Sequence, residues 1–373
     1  MLHVDIPTLP ELRTLAAARG DICASLFLPT TPLTQDTTAD RIALKNLVQG
    51  LVGELDAKGF DKRRAAVLEE HLADLVDDDE FWRFQARSLA VLATPDSVRS
   101  YRLPNRLSAG AEIADRFHLK PLLRAVTFPH EAFVLVLSQN AVRVVEICSD
   151  LPPATVGLAD LPRDAASATR RASVRDRSPS GRIQGSEGQK ILLRQYARRV
   201  DDALRTFLAG RETPLLLAAV EPLNSIFRSV SSYPHLVATG VPGVTEQSSD
   251  GVLAQAARQV LDELYARELA DLRAIFDRRA GQGRATTDIT DAARAATMGA
   301  IATLMVDMDE VVPGTVDETD GRVTFRDAGG ADSYDVIDEI ACRALLTGAR
   351  VVSARRPDLP RQAQLAAILR HPV

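Results

Sequence analysis

Between residues 181 and 190 the chain reads Gly181-Arg182-Ile183-Gln184-Gly185-Ser186-Glu187-Gly188-Gln189-Lys190. This glycine-bearing loop delivers a Gly-Gln pair to the start of a basic amphipathic run. It lacks the Gly-Lys-Ser/Thr ending of a phosphate loop, misses the G-x-G-x-x-G spacing, and has no strand leading directly into it, which argues against nucleotide binding. One structural role is at hand. Ser186 and Gln189 have the S-x-x-Q spacing of a capping box, worth about 0.5–2 kcal/mol at a helix N-cap. The chemistry favoured by the surroundings is electrostatic. Arg163, Arg170, Arg171, Arg175, Arg177, Arg182, Lys190, Arg194, Arg198 and Arg199 stand against Asp164, Asp176 and Glu187. In a chain of net charge −5 this is a local positive region. It suits an RNA phosphate backbone, with binding that falls as salt rises. The plainer alternative is a solvated helix face beside a loop.

Other chemistries find little support. There is no G-x-S-x-G nucleophile elbow and no H-E-x-x-H zinc helix. The six histidines are scattered without pairing; His235, beside Tyr233-Pro234, is the one to watch. Cys23, Cys148 and Cys342 lie far apart, so buried free thiols are expected rather than disulfides or a zinc site. Asp307, Asp309 and Glu310 follow an apolar run and read as a hydrated strand end, although α/β sites often sit there. Asp77-Asp78-Asp79-Glu80 reads as a solvated turn with its charge at the start of the next helix. No metal and no cofactor are expected.

The elements that must position these residues fall into three segments. A length of 373 residues exceeds one ordinary core. With 46% hydrophobic and 25% charged residues the composition is that of a globular protein. The N-terminus lacks the basic and apolar regions of a signal peptide, and no apolar run approaches a membrane span, so a cytoplasmic protein with no membrane partner is expected. The overall acidity argues against DNA and confines any RNA contact to a patch.

Residues 1–123 read as an α+β domain. Its expected elements are a short helix at Leu9–Leu12, a buried strand at Ile22–Pro29, a helix capped by Asp40, a second helix through Val67–Leu75, and strands at 88–93, 98–103 and 112–117. Residues 124–248 open with a hairpin, 133–137 and 142–147, joined by Ser138-Gln139-Asn140. From Ser149 to Gln184 the pattern fails and a long loop is expected. A helix from Glu187 to Ala209 follows, with Gly210 as its stop, then a buried strand at 215–220 and a helix beyond Glu221-Pro222. Residues 249–373 alternate helix and strand after one long helix, which implies a three-layer α/β/α domain with a mainly parallel sheet. The fold class is therefore α/β with an α+β N-terminal domain.

The run Gly185-Ser186-Glu187-Gly188-Gln189-Lys190-Ile191-Leu192-Leu193-Arg194-Gln195-Tyr196-Ala197-Arg198 resembles the Gly-Gly-Gln loop and basic helix of archaeal and eukaryotic class-one release factors. The three-segment layout is similar to those factors and to Pelota. Ser25–Thr30, Asp40–Leu47, Leu215–Pro222, Asp358–Pro360 and Leu365–Arg370 point to the bacterial branch, the archaeo-eukaryotic release-factor-like proteins. The resemblance implies an RNase H-like middle domain and an L7Ae-like C-terminal domain. It implies a factor that binds the ribosomal A site in release, rescue or hibernation, with rRNA and the tRNA acceptor end as partners and a translational GTPase as a candidate partner. By the same resemblance Arg175, Arg177, Arg182, Lys190, Arg194 and Arg198 would contact RNA. Gly188 and Gln189 would stabilise charge as water attacks a peptidyl-tRNA ester. Glu187 stands where the first Gly of the motif belongs, which puts a carboxylate at the tRNA end and removes backbone freedom. Two other readings stay open: peptidyl-tRNA hydrolysis through Gln189, and a non-ribosomal RNA-binding or protein-interaction module on the same scaffold.

Overall fold

The computed structural model describes residues 4–31, 37–127, 131–148, 152–169, 186–211, 213–243, 246–327 and 333–372, less the side chains of Arg124, Thr127, Ser186 and Glu187. Two compact units divide the chain. Met1–Pro129 and Arg267–Val373 form one; His130–Ala266 form the other. The mixed α/β class expected from the sequence is what the chain adopts, with four separate sheets among the described residues.

The N-terminal part of the first unit contains α1 (Leu9–Ala17), β1 (Cys23–Pro29), α2 (Thr37–Lys58), α3 (Lys62–Asp77), α4 (Asp79–Trp82), β2 (Ser88–Thr94), β3 (Ser97–Leu103), β4 (Gly110–Ala114) and α5 (Lys120–Thr127). Thr8 and Glu11 close a capping box on α1, and Asp78 caps α4 within the acidic run. The strands form an antiparallel sheet in the order β3-β2-β1-β4. Successive side chains of a strand point to opposite faces. Ala24, Leu26 and Leu28 of β1 therefore meet Leu44, Leu51, Leu68 and Leu72 of α2 and α3, while Cys23 and Phe27 enter a second core on the other face.

Two expectations for this region are corrected, and one element is added. Asp40 lies inside the first turn of α2 and not at its cap; it is buried and accepts the Thr31 N–H at 2.6 Å. The third expected strand ends at Ala114, so Arg116 and Phe117 lie beyond it. The helix α5 was not anticipated.

The second unit contains β5 (Ala132–Leu137), β6 (Val142–Ile147), β7 (Ala154–Val156), α6 (Ala165–Thr169), α7 (Ser186–Leu208), β8 (Leu215–Ala219), α8 (Leu223–Val230) and the first part of α9 (Asp250–Ala280). Its sheet runs β7-β6-β5-β8, with β5 and β8 parallel. Phe133, Leu135 and Leu137 pack under α7 and α8; Ala132, Val134 and Val136 face Leu253, Ala257 and Leu261 of α9. The stretch from 149 to 184 is not wholly without structure, since β7 and α6 form within it. Residues 170–185 lie outside the described residues.

The C-terminal part of the first unit contains β9 (Ala285–Thr286), α10 (Ile289–Thr297), β10 (Ile301–Asp307), β11 (Pro313–Val316), β12 (Val323–Phe325), β13 (Tyr334–Asp335), α11 (Val336–Leu346), β14 (Arg350–Ala354) and β15 (Leu365–Leu369). The main sheet, β14-β10-β15-β9, has α10 and α11 on one face and Leu272 and Phe276 of α9 on the other. Only β10 and β14 are parallel; β15 is antiparallel to both of its neighbours. The expectation of a mainly parallel sheet is thereby corrected. Residues 355–364, two short 3-10 turns, return the chain directly, whereas a parallel crossover needs a dozen or more residues and usually a helix. Among the described residues no helix is long and apolar enough to cross a membrane.

Candidate nucleic-acid interface

Leu193, Tyr196, Ala197, Val200, Leu204 and Leu208 give α7 a buried stripe at helical spacing. They pack on the β5–β8 sheet and on α8. Tyr196 anchors the helix to the hairpin turn: its hydroxyl donates to the Ser138 carbonyl at 3.0 Å, and burial pushes its pKa up. Near the other end, buried Asp201 accepts the Ser232 N–H and hydroxyl, each at 3.0 Å. The left-handed conformation of Gly210, φ +73°, ends the run as expected.

The opposite face carries the charge. Lys190, Arg194 and Arg198 recur every four residues and so share one side of the helix. All three are exposed, as are Arg199 and Ile191. Among the described residues Arg194, Arg198 and Arg199 take part in no ion pair. Arg205 differs, lying 3.2 Å from Asp201 and 3.5 Å from Asp202. Arg175, Arg177 and Arg182 lie outside the described residues, so the structure brings together three of the six expected RNA contacts.

The Gly-Gln pair lies within the first turn of α7. Gly188 is buried and the Gln189 side chain is exposed. The described part of α7 begins at Ser186, so the residue before it, and with it the expected Ser186–Gln189 capping box, lies at the border of the described residues.

The remaining expected residues are structural in their surroundings. Asp307 is buried and its Oδ1 accepts the Asp309 N–H at 3.1 Å; Glu310 accepts from Gln364 at 2.5 Å and pairs with Arg356. His235 is exposed and edge-on to Tyr233. Cys23, Cys148 and Cys342 are free thiols. Burial pushes Cys23 up to about 11 and Cys148 up to about 12, so neither is a ready nucleophile. No group of His, Cys, Asp and Glu among the described residues could hold a metal.

Sequence reading missed a buried ionic cluster in the first unit. Lys120 Nζ lies 2.5 Å from Asp335 and donates to the Glu310 carbonyl. Asp338 accepts the backbone N–H groups of Leu119 and Lys120. Complete burial, reinforced by the nearby charge of Asp335, pushes Asp338 up to about 7. His118 Nδ1 stands 3.7 Å from both Glu112 and Asp338, and burial pushes its pKa down. Glu339 gathers Arg116, Arg343 and Arg19. The Arg116 guanidinium also lies 4.1 Å from the Tyr334 ring centroid. Burial acts to lower the Arg116 pKa, but Asp115 and Glu339 outweigh it and hold the group charged. Only Glu339–Arg343, at i,i+4, the adjacent Asp115 and Arg116, and the neighbours Glu112 and His118 are local; the other pairs join the two ends of the chain, and no local pattern announces them.

Residues 129–267 match the family described as Bacterial archaeo-eukaryotic release factor family 11. The resemblance carried by the sequence motifs therefore holds, and it is the middle of the chain, with α7 and its basic face, that carries the match. No curated protein sequence matches the chain. Among solved structures, archaeal Pelota in a ribosome-bound complex with ABCE1 aligns with 99% of this chain and 96% of its own, at 11% identity and TM-score 0.40. Archaeoglobus fulgidus Pelota aligns over 98% and 93%, at 12% identity and TM-score 0.32. Archaeal translation termination factor aRF1 aligns over 97% and 96%, at 14% identity and TM-score 0.24.

Proposed function

We propose that the chain is a release-factor-like translation factor that binds RNA at the ribosomal A site through the exposed face of α7. The observation that carries this reading is the stripe of Arg194 and Arg198, exposed and outside any described ion pair, within the residues that match the family. Cations left unpaired on a rigid helix suit a phosphate backbone, and their packed opposite side fixes their direction. Rescue, release and hibernation are the roles this reading admits. A translational GTPase and the tRNA acceptor end complete its partners, and the cytoplasm is its place. The division at 123/124 and 248/249, the RNase H-like middle domain and the L7Ae-like C-terminal domain belong to the same proposal.

Sucrose-gradient sedimentation of the full chain from growing, stressed and stationary cells tests it. Co-sedimentation with ribosomes is expected in at least one state; a protein that stays at the top in all three would sink the reading and favour a non-ribosomal module. Hydrolysis of peptidyl-tRNA is the second reading, favoured by the exposed Gln189 beside buried Gly188. A peptidyl-tRNA release assay decides it: release that persists in Gln189→Ala removes the Gln189 side chain from the chemistry, and release that persists in Gln189→Pro removes its backbone N–H.

A further inference from the structure

Strand β4 closes its sheet on one side and, among the described residues, has β1 as its only ladder partner. In an antiparallel strand alternate residues direct their N–H and C=O groups to opposite sides, so part of the β4 backbone faces away from β1. Among the described residues, no backbone group of Gly110–Ala114 bonds to main chain outside that ladder; the next bond is from Gly20 N–H to the Asp115 carbonyl, just beyond the strand. An open edge of this kind is usually covered, charged or bulged.

Space lies along it instead. A cavity of about 260 Å³ runs beside Ala111–Ala114, walled by Val311, Pro313 and Tyr334. A second, of about 310 Å³, continues past Gly110 and His118 to Asp309. Val311 is 50% exposed in this wall, an apolar surface. Charge gives the groove a sign. Lys58 is paired to Glu54 and Lys120 to Asp335. Glu112 and Asp309 remain, both exposed, against exposed Arg106. Among the described residues Glu112 pairs with no Lys or Arg, and His118 Nδ1 stands 3.7 Å from it.

We infer that β4 is a docking edge, onto which an extended basic peptide of a partner protein adds as a further strand. Main-chain pairing supplies the affinity in such a mode, and alternate side chains supply the selectivity. One set would face the apolar wall, and the lysines or arginines would face Glu112 and Asp309. The surface is independent of α7 and of the ribosome reading.

The test uses the full chain and a short fluorescein-labelled peptide of alternating Lys and Val, followed by fluorescence anisotropy. Saturable binding is expected. Two further peptides carry N-methyl groups on alternate residues, one set on each strand edge; only one of them should still bind, because only one edge of the peptide pairs with β4. Glu112→Lys and Asp309→Lys should each weaken binding by roughly two- to fivefold. Equal binding of both methylated peptides, no saturable binding up to about 100 μM, or displacement of the peptide by self-association of the chain would each overturn the inference.

Discussion

Arg116 Nη1 lies 2.7 Å from Glu339 Oε2, joining the end of β4 to α11 across the core shared by the two ends of the chain. Both side chains are nearly inaccessible, 8% and 1% exposed. Glu339 also accepts from Arg343 Nε at 2.6 Å and meets Arg19 at 3.3 Å. One carboxylate thus meets guanidinium groups from three parts of the sequence, and Asp115 shares the charge of Arg116. A buried pair contributes little net stability when it is intact, but removing one partner strands the other.

Glu339→Ala should therefore destabilise the first unit by about 3–5 kcal/mol. Urea unfolding of the full chain, followed by the fluorescence of Trp82, reads this directly, because Trp82 is buried in that unit. A loss of under about 1 kcal/mol, the range of an exposed pair, would mean that Glu339 is not the hub its contacts describe.

Local pattern made much of the fold legible, and distance in sequence hid the rest. The stripe of α7, the β5–β6 hairpin and the doubly buried strands β1 and β8 follow from periodicity within a few residues. Lys120–Thr127 escaped notice because it is one short helix opened by Lys120-Pro121, whose buried face is completed only by residues near the C-terminus. The direction of β15 depends on the length of its connection, which composition does not announce. For the candidate site, Lys190, Arg194 and Arg198 were legible as a helical repeat. Arg116, Lys120, Asp335, Asp338 and Glu339 were not, since their roles exist only once the two chain ends meet.

Gly314 tests how closely β11 and β12 approach α11. A Cβ built there would lie 2.5 Å from the Thr324 carbonyl oxygen and 2.9 Å from Val336 Cγ2. The first of these is main chain and cannot swing aside. Gly314→Ala should cost about 1–3 kcal/mol through overpacking, seen as a lowered Tm by differential scanning calorimetry. Gly110→Ala, where a Cβ meets nothing within 4 Å, is the control and should change Tm little.

Asp338 makes a pH dependence that can be signed. Its folded pKa, about 7, lies above its ordinary 3.8, because burial and then Asp335 penalise the charge. Between those values the native state holds a proton that the unfolded chain has released, so stability from this group falls as pH rises toward 7 and is regained on acidification. His118 opposes it: burial depresses its folded pKa, so protonation on acidification favours the unfolded state. Glu112, Lys120, Asp335 and Cys342 also face the cluster. Asp338→Asn removes only the first contribution. The wild-type advantage over Asp338→Asn in urea unfolding should grow from about pH 8 to about pH 5; a constant advantage would show that Asp338 does not titrate there.

The basic face of α7 makes the most direct prediction about function. Arg194 and Arg198 are exposed and take part in no described ion pair, so Arg194→Glu with Arg198→Glu should leave the fold intact. If they contact phosphates, each contact contributes roughly 0.7–0.9 to the slope of log K against log salt. Losing both should flatten that slope by about 1.5 and weaken ribosome binding at low salt far more than at high salt. Filter binding of the full chain to purified ribosomes across a salt series measures both quantities. Arg205→Glu is the contrast, since Arg205 already lies against Asp201 and Asp202. Equal losses from Arg205→Glu and from the double variant would place the effect in helix stability. An unchanged salt slope in the double variant would remove α7 from the interface.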